Sequence, residues 1–168
     1  MRFSAGLIAA VVSGLLSLTG CATAADSPGR SPLPPYAALD PVAVTVTRDG
    51  NRWAADFALD RDAPVWAFRE SALLKASREP WRPQQWTVET PGVVMERYGF
   101  YDVLRAVDGG SVPRQVRIRL RPTSGDLEAA YSPALIFSDG SVALASDQFD
   151  LMPYASVAEV SALPQDLN

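Results

Sequence analysis

The stretch Arg114-Gln115-Val116-Arg117-Ile118-Arg119-Leu120-Arg121 alternates between polar and apolar side chains from Gln115 onward. Successive side chains of a β-strand point to opposite faces of the sheet. The stretch therefore predicts a half-buried strand, in which Val116, Ile118 and Leu120 face a core. On the other face, the same alternation directs three arginines toward solvent: Arg117, Arg119 and Arg121.

The same period of two appears on both sides of strong turn signals elsewhere in the chain. Residues 42–47 and 53–59 alternate around Asp49-Gly50-Asn51, and residues 135–137 and 142–145 flank Ser138-Asp139-Gly140-Ser141. Because Gly, Asn and Asp accept the backbone angles of tight turns, each arrangement predicts a β-hairpin.

Shorter extended segments lie between these hairpins. We predict strands at 65–68, 85–90, 93–97 and 98–107, a break at 78–83, and a last strand that includes Phe149, Leu151 and Met152. Residues 71–77 fit one helical turn or a strand, and residues 156–163 fit a short helix or the start of another element. About eight short strands at intervals of roughly 8–12 residues predict an all-β fold, an antiparallel β-sandwich or open barrel.

The composition argues against several classes of function. The 168 residues contain no histidine, which removes Ser-His-Asp and Cys-His catalytic sets and nearly every catalytic zinc site. Glycine-rich nucleotide-binding motifs are also absent from the sequence. The net charge of −4 argues against nucleic-acid binding, for which a basic face is typical. We therefore predict no catalytic residue, no metal, no cofactor and no nucleic-acid partner.

The first 20 residues have the layout of a secretory signal peptide. Arg2 gives a basic start, and a small, apolar run from Phe3 to Leu18 follows it. The run is short for a transmembrane helix, which needs about 20 apolar residues; a retained anchor helix is the alternative. Residues 22–41 are rich in Pro, Ser and Ala, which predicts an extended, mobile tether.

The sequence Leu18-Thr19-Gly20-Cys21 resembles the lipobox of bacterial lipoproteins, and Cys21 is the only cysteine. The resemblance implies cleavage between Gly20 and Cys21, acylation of Cys21, and attachment to membrane lipid. Ala22 stands where that family often carries Asp for inner-membrane retention, which favours the outer membrane. Several acyl chains would make the attachment essentially permanent. The alternative is a small-residue cleavage region that contains a cysteine by chance.

Two groups of residues are candidates for ligand binding. The basic stripe Arg117, Arg119 and Arg121 could bind anionic groups of lipids or envelope polysaccharide, or it could be a solvent face paired with acids such as Glu89 or Glu96. Trp81 and Arg82 lie in a Pro-rich segment beside Trp86. If exposed, they would be typical of sugar or peptide contacts. The alternative is that Trp86 is a core residue and Trp81 covers the edge of the sandwich.

Three other patterns are compatible with catalysis or metal binding. Ser71 and Lys75 would be adjacent on a helix, as in a Ser-Lys dyad, but such a dyad needs a buried, neutral lysine. Carboxylate pairs for glycosidase chemistry depend on separations that a sequence does not give. Two pairs of acids could supply oxygens to Ca²⁺, although that ion takes six to eight ligands and loop solvation explains them more simply: Asp60 with Asp62, and Asp147 with Asp150.

The C-terminal half contains Tyr131-Ser132-Pro133, then the hairpin 137–144, then Gln148-Phe149. This order resembles the all-β N-terminal domain that precedes the catalytic domain of M61-type and M1-type metallopeptidases. The resemblance covers about a third of the chain and implies a non-catalytic module. The zinc-binding helix of that family has no counterpart in this sequence, so no catalytic residue is carried over.

Together these patterns divide the chain into a signal peptide (1–20), a lipidated Cys21 with its linker (21–41), a β-sandwich domain (42–155) and a C-terminal tail (156–168). We expect a lipid-anchored, non-catalytic module of the bacterial cell envelope that binds a protein, a glycan or another envelope component. The alternatives are an accessory domain of a split or truncated surface metallopeptidase and, more remotely, a carboxylate-based hydrolase.

Overall fold

The structure, a computed structural model, describes residues 42–123, 126–129 and 132–164, which belong to one compact unit. The described residues form ten β-strands, two α-helices and one 3₁₀ helix. In chain order they are β1 (Ala43–Asp49), β2 (Arg52–Ala58), β3 (Val65–Phe68), α1 (Trp81–Gln85), β4 (Thr87–Val88), β5 (Val93–Tyr98), β6 (Tyr101–Ala106), β7 (Gln115–Leu120), β8 (Ala134–Ile136), β9 (Val142–Leu144), the 3₁₀ helix (Ser146–Phe149), β10 (Leu151–Tyr154) and α2 (Val157–Ser161).

The strands form three antiparallel sheets. The first has the order β1-β2-β7-β4, the second has the order β10-β3-β6-β5, and β8 pairs with β9 alone. This arrangement confirms the predicted all-β, sandwich-like fold, and the sheets do not close into a barrel. Both predicted hairpins are present, β1 with β2 and β8 with β9.

The main core lies between the first and second sheets. Phe57 and Ile118 come from the first sheet, Phe68 comes from the second, and all three are fully buried. Trp86 and Phe149 stack beside them, with ring centroids 5.6 Å apart. Burying one large apolar side chain stabilises a fold by about 1.5–3 kcal/mol, so this cluster is the main source of stability.

Strand β7 has the alternation that its sequence predicts. Val116, Ile118 and Leu120 are buried against the core, whereas Arg117 and Arg119 are exposed on the opposite face. The strand lies between β2 and β4, and Trp53 pairs with Leu120 in the register with β2. The outer face of the first sheet is therefore polar and basic along this strand.

The second sheet is buried on both faces. Its outer face packs against α2, whose Val160 is fully buried beside Val103 and Tyr101. Ser156 caps this helix, because its side chain accepts a hydrogen bond from the Glu159 backbone N–H at 3.2 Å. The C-terminal segment is thus a helix that covers the sheet, one of the two structures that the sequence predicts for it.

Four local predictions are wrong. The last strand does not include Phe149, which lies in the 3₁₀ helix, since β10 begins at Leu151. The break at 78–83 contains the start of α1. Pro83 does not prevent this helix, because a proline in the first turn lacks only an N–H that would have no intrahelical partner. The strand at 85–90 is reduced to Thr87–Val88. The segment 98–107 is not continuous, because Gly99 has a φ of +58° and turns β5 into β6.

Candidate functional site

An open groove lies at the end of the first sheet where β2 begins and β7 ends, beside the β8–β9 hairpin, and takes residues from both faces of the sheet. It encloses about 630 Å³, a volume within the range of about 300–1,000 Å³ that is usual for small-molecule sites. We call it the arginine groove. Its lining consists of Asn51, Arg52, Trp53, Gln84, Gln85, Thr87, Arg119, Leu120, Arg121, Pro122, Ile136 and Val142.

The pairing of strands places the cations of the arginine groove. Trp53 of β2 pairs with Leu120 of β7, and continuation of that register sets Arg52 opposite Arg121. Arg119 lies two residues before Arg121 and therefore projects from the same exposed face. Three guanidinium-bearing side chains thus converge on one side of the sheet.

Neighbouring elements supply the other walls of the groove. Gln84 and Gln85 come from the C-terminal end of α1, and Thr87 comes from β4. The hairpin contributes Ile136 and Val142, which are Cα partners across β8 and β9. The amides can donate and accept hydrogen bonds, while the two aliphatic side chains make one wall apolar.

Among the described residues, the lining of the groove contains three arginines and no carboxylate. Asp49 lies across from Arg52 in the register of β1 with β2, and Glu89 Oε1 lies 3.8 Å from Arg119 Nε. Within the described ranges, no carboxylate lies within 4 Å of the nitrogens of Arg52 or Arg121. The groove therefore concentrates positive charge in a protein whose net charge is negative.

The structure divides the predicted basic stripe. Arg117 is held by two acids: its Nη1 lies 2.7 Å from Asp56 Oδ2 and its Nε lies 3.4 Å from Glu89 Oε2. Arg119 and Arg121 line the groove, and Arg117 does not. Glu96, a predicted partner of the stripe, instead pairs with Arg105 of the second sheet at 2.9 Å. The paired role is thus confirmed for Arg117, and the anion-binding role stays a prediction for Arg119 and Arg121.

The structure buries the other predicted binding pair. Trp81 is 1% exposed and Arg82 is fully buried, so the prediction that they form an exposed contact surface is wrong. The Arg82 guanidinium lies over the rings of Phe68 and Trp86, at 4.3 Å and 5.2 Å from their centroids. It donates a 2.7 Å hydrogen bond to the Gln148 carbonyl and lies 3.2 Å from Asp102. Both residues are part of the core.

Asp102 is the buried acid of this cluster. Burial raises the pKa of its carboxyl, and the positive charges of Arg82 and Arg97 oppose that effect. Arg97 Nη1 lies 3.3 Å from Asp102 Oδ1, so each carboxylate oxygen has a guanidinium neighbour. The side chains of Arg82 and Asp102 have no solvent exposure, which favours a structural role for this pair.

The structure also places the weaker candidates. Ser71 and Lys75 lie outside any helix; Ser71 Oγ accepts a hydrogen bond from the Asp102 N–H, and the exposed Lys75 pairs with Asp126 at 2.6 Å. These contacts contradict the geometry of a Ser-Lys dyad, an alternative that the sequence already disfavours. The carboxylates of the proposed Ca²⁺ pair Asp60 and Asp62 are hydrogen-bonded to Arg61 and Arg114, and these contacts lower the pKa of both acids.

Two further observations concern the part of the chain that the structure describes. No group of three or more His, Cys, Asp or Glu side chains in it is arranged to hold a metal ion. Neither described helix has the length and apolar character needed to cross a membrane. Gly20 and Cys21, the predicted cleavage and acylation site, lie outside the described residues.

The chain matches no protein-family model, no curated protein and no solved structure. The resemblances to lipoproteins and to metallopeptidase N-terminal domains stay predictions from the sequence.

Proposed function

We propose that this chain is a lipid-anchored, non-catalytic module of the bacterial cell envelope, and that its arginine groove binds an envelope component bearing phosphate or carboxylate groups. One observation carries the proposal. Arg52, Arg119 and Arg121 meet in an open groove to which the described part of the chain contributes no carboxylate.

The chemistry of the groove fits an anion better than a neutral ligand. A guanidinium presents planar N–H donors that match the two oxygens of a phosphate or carboxylate, and the resulting charge-assisted hydrogen bonds are roughly twice as strong as neutral ones. The side-chain amides of Gln84 and Gln85 add donors and acceptors at the same site. The openness of the groove to solvent suits part of a polymer or an extended surface.

The anchoring part of the proposal rests on Cys21 and the lipobox that precedes it. Metabolic labelling with a fatty acid should mark the natural chain and should fail for Cys21→Ser. Fractionation should find the natural chain in the membrane and favour the outer membrane. Labelling that persists in Cys21→Ser would overturn the assignment, whereas membrane attachment without labelling would indicate a retained leader helix.

The groove is tested with anionic polymers as probes. Full-length protein in detergent is titrated with polyphosphate and polygalacturonate, and neutral dextran serves as the reference polymer. We expect Arg52→Gln and Arg121→Gln each to weaken binding of the anionic polymers about tenfold, which is the effect of losing one charge-assisted hydrogen bond.

Arg114→Gln is the matched control, because Arg114 is exposed, pairs with Asp62 at 2.9 Å and lies outside the groove. It removes the same charge from the surface and should leave polymer binding nearly unchanged. Equal losses in all three variants would indicate a nonspecific charge effect. Equal binding of dextran and the anionic polymers would contradict the proposal directly.

A further inference from the structure

The β8–β9 hairpin carries an unusual run of exposed apolar side chains. Leu135, Ile136 and Phe137 are consecutive in sequence and are 56%, 52% and 51% exposed. We call these three residues the apolar hairpin segment. Single exposed hydrophobic residues are normal on a protein surface, but larger groups of them mark contact sites. Because side chains alternate along β8, Leu135 and Ile136 project from opposite faces of the hairpin. The large exposed hydrophobic residues elsewhere in the described ranges are separate in sequence: Val46, Phe100 and Val107.

The apolar hairpin segment adjoins the arginine groove. Ile136 and its partner Val142 line the groove, whereas Leu135 pairs with the exposed Ala143 on the opposite side of the hairpin. The hairpin turn reaches β1, because Arg48 donates a 3.5 Å hydrogen bond to the Gly140 carbonyl. Exposed apolar side chains thus lie on both faces of the hairpin, and one of these faces borders the groove arginines.

We propose that this region docks on the surface of an anionic phospholipid bilayer, with the apolar hairpin segment at the lipid interface and the groove arginines on headgroup phosphates. The inference rests on the proposed function and names the component that the groove binds. It follows from charge complementarity, since Arg52, Arg119 and Arg121 present positive charge beside the apolar side chains. An anionic polysaccharide would satisfy the arginines but would leave Leu135 and Phe137 in water.

Asp139 sets the depth of the docked hairpin. It lies in the turn after the apolar segment, and its carboxylate accepts hydrogen bonds from the Ser141 N–H and Oγ at 2.9 Å and 2.7 Å. A charged group in the hydrocarbon region is costly, so the turn stays at the level of the headgroups. The contact is therefore interfacial, as for amphipathic segments that combine basic and apolar residues.

The test uses the full-length chain reconstituted in vesicles with bromine-labelled acyl chains, which quench tryptophan on contact. Phe137→Trp places a reporter in the apolar hairpin segment. Phe100→Trp is the matched control, because Phe100 has a similar exposure of 48% but lies in the turn between β5 and β6, away from the groove. The parent chain gives the background from its four tryptophans.

With phosphatidylglycerol vesicles we expect strong quenching of the reporter at position 137 and little at position 100. With phosphatidylcholine vesicles the reporter at 137 should be quenched less. Adding Arg52→Gln and Arg121→Gln to the reporter chain should lower the ratio of docked to undocked domain roughly 30-fold, since each arginine near an anionic surface contributes a factor of about five to six.

Two results would overturn the inference: equal quenching at 137 and 100, or equal quenching at 137 in the two kinds of vesicle. If Phe137→Trp is not quenched and the arginine variants still lose polymer binding, the groove binds a glycan or another soluble anion. In that case the proposed function stands and the lipid contact is wrong. Polymer binding that is insensitive to the arginines contradicts the proposed function itself.

Discussion

Arg82 Nη1 lies 3.2 Å from Asp102 Oδ2, and neither side chain has any solvent exposure. The pair joins α1 to β6, and the bond from Arg82 to the Gln148 carbonyl extends it to the 3₁₀ helix. Three elements that are distant in sequence are thus fixed by one guanidinium. Because α1 also supplies Gln84 and Gln85 to the arginine groove, this buried pair helps to hold one wall of the candidate site.

We expect Asp102→Asn to lower the free energy of unfolding by about 3–5 kcal/mol, because it leaves the buried Arg82 without its counter-charge. Asp126→Asn is the control: it breaks an exposed pair with Lys75, for which the expected change is about 0–1 kcal/mol. Urea unfolding followed by tryptophan fluorescence gives both values. Equal effects of the two substitutions would show that the buried pair has no special contribution.

Gly99 holds the β5–β6 turn against the C-terminal helix. A Cβ at this position would lie 3.2 Å from the Ser161 Cα, and the φ of +58° is unfavourable for other residues. We expect Gly99→Ala to destabilise the fold by more than the roughly 1–2 kcal/mol that a left-handed conformation costs alone.

Gly50→Ala is the control, because it carries the cost of a left-handed backbone conformation without a steric clash. Gly50 has a nearly equal φ of +56°, and a Cβ there would meet nothing within 4 Å. The difference between the two variants in the free energy of unfolding therefore measures the steric contact with α2. If the two alanine variants are equally stable, the helix does not pack tightly on this turn.

The two ends of the basic stripe should respond differently to substitution. Arg117 is occupied by Asp56 and Glu89, whereas Arg121 lines the groove. We expect Arg117→Gln to change the free energy of unfolding by about 0–1 kcal/mol and to leave polyphosphate binding unchanged. A loss of binding as large as that in Arg121→Gln would mean that the whole stripe, rather than the groove, attracts the ligand.

The sequence predicts the strands well where a local period decides them. The alternation from Gln115 to Leu120 fixes which side chains of β7 are buried, and both hairpins follow from their turn residues. The role of Arg82 has no such signal, because a buried arginine needs distant partners: Asp102, which is 20 residues away, and the ring of Phe68 in β3. In the sequence it therefore resembles an exposed loop residue.

The arginine groove is predictable in part for the same reason. Arg119 and Arg121 follow from the period of β7, but Arg52 joins them only through the register of β2 with β7. The packing of α1 and of the separate β8–β9 hairpin adds further residues to the groove: Gln84, Gln85 and Ile136. A local pattern gives the direction of a side chain within its own strand, and neighbours across a sheet depend on long-range pairing.

The pair Glu96–Arg105 gives the fold part of its acid sensitivity. The hydrogen bonds from Arg105 to the Glu96 carboxylate, at 2.9 Å and 3.0 Å, lower the pKa of Glu96 below its ordinary value of 4.5. Tyr98 adds a further hydrogen bond at 3.0 Å. The Glu96 carboxyl therefore binds its proton less tightly in the folded state than in the unfolded state. As a result, the pair stabilises the fold at pH values above the ordinary pKa of Glu96. That contribution is lost as the pH falls through the lowered pKa.

We expect Glu96→Gln to be less stable than the natural chain at about pH 7, by at most about 1 kcal/mol since the pair is partly exposed. The two unfolding curves should converge as the pH falls from about 5 to about 3, where the natural glutamate also loses its charge. Urea midpoints across this range measure the gap. Glu79→Gln, at an exposed glutamate, is the control and should show no such convergence. A gap for Glu96→Gln that stays constant down to about pH 3 would show that the charge of Glu96 is not the source of the stabilisation.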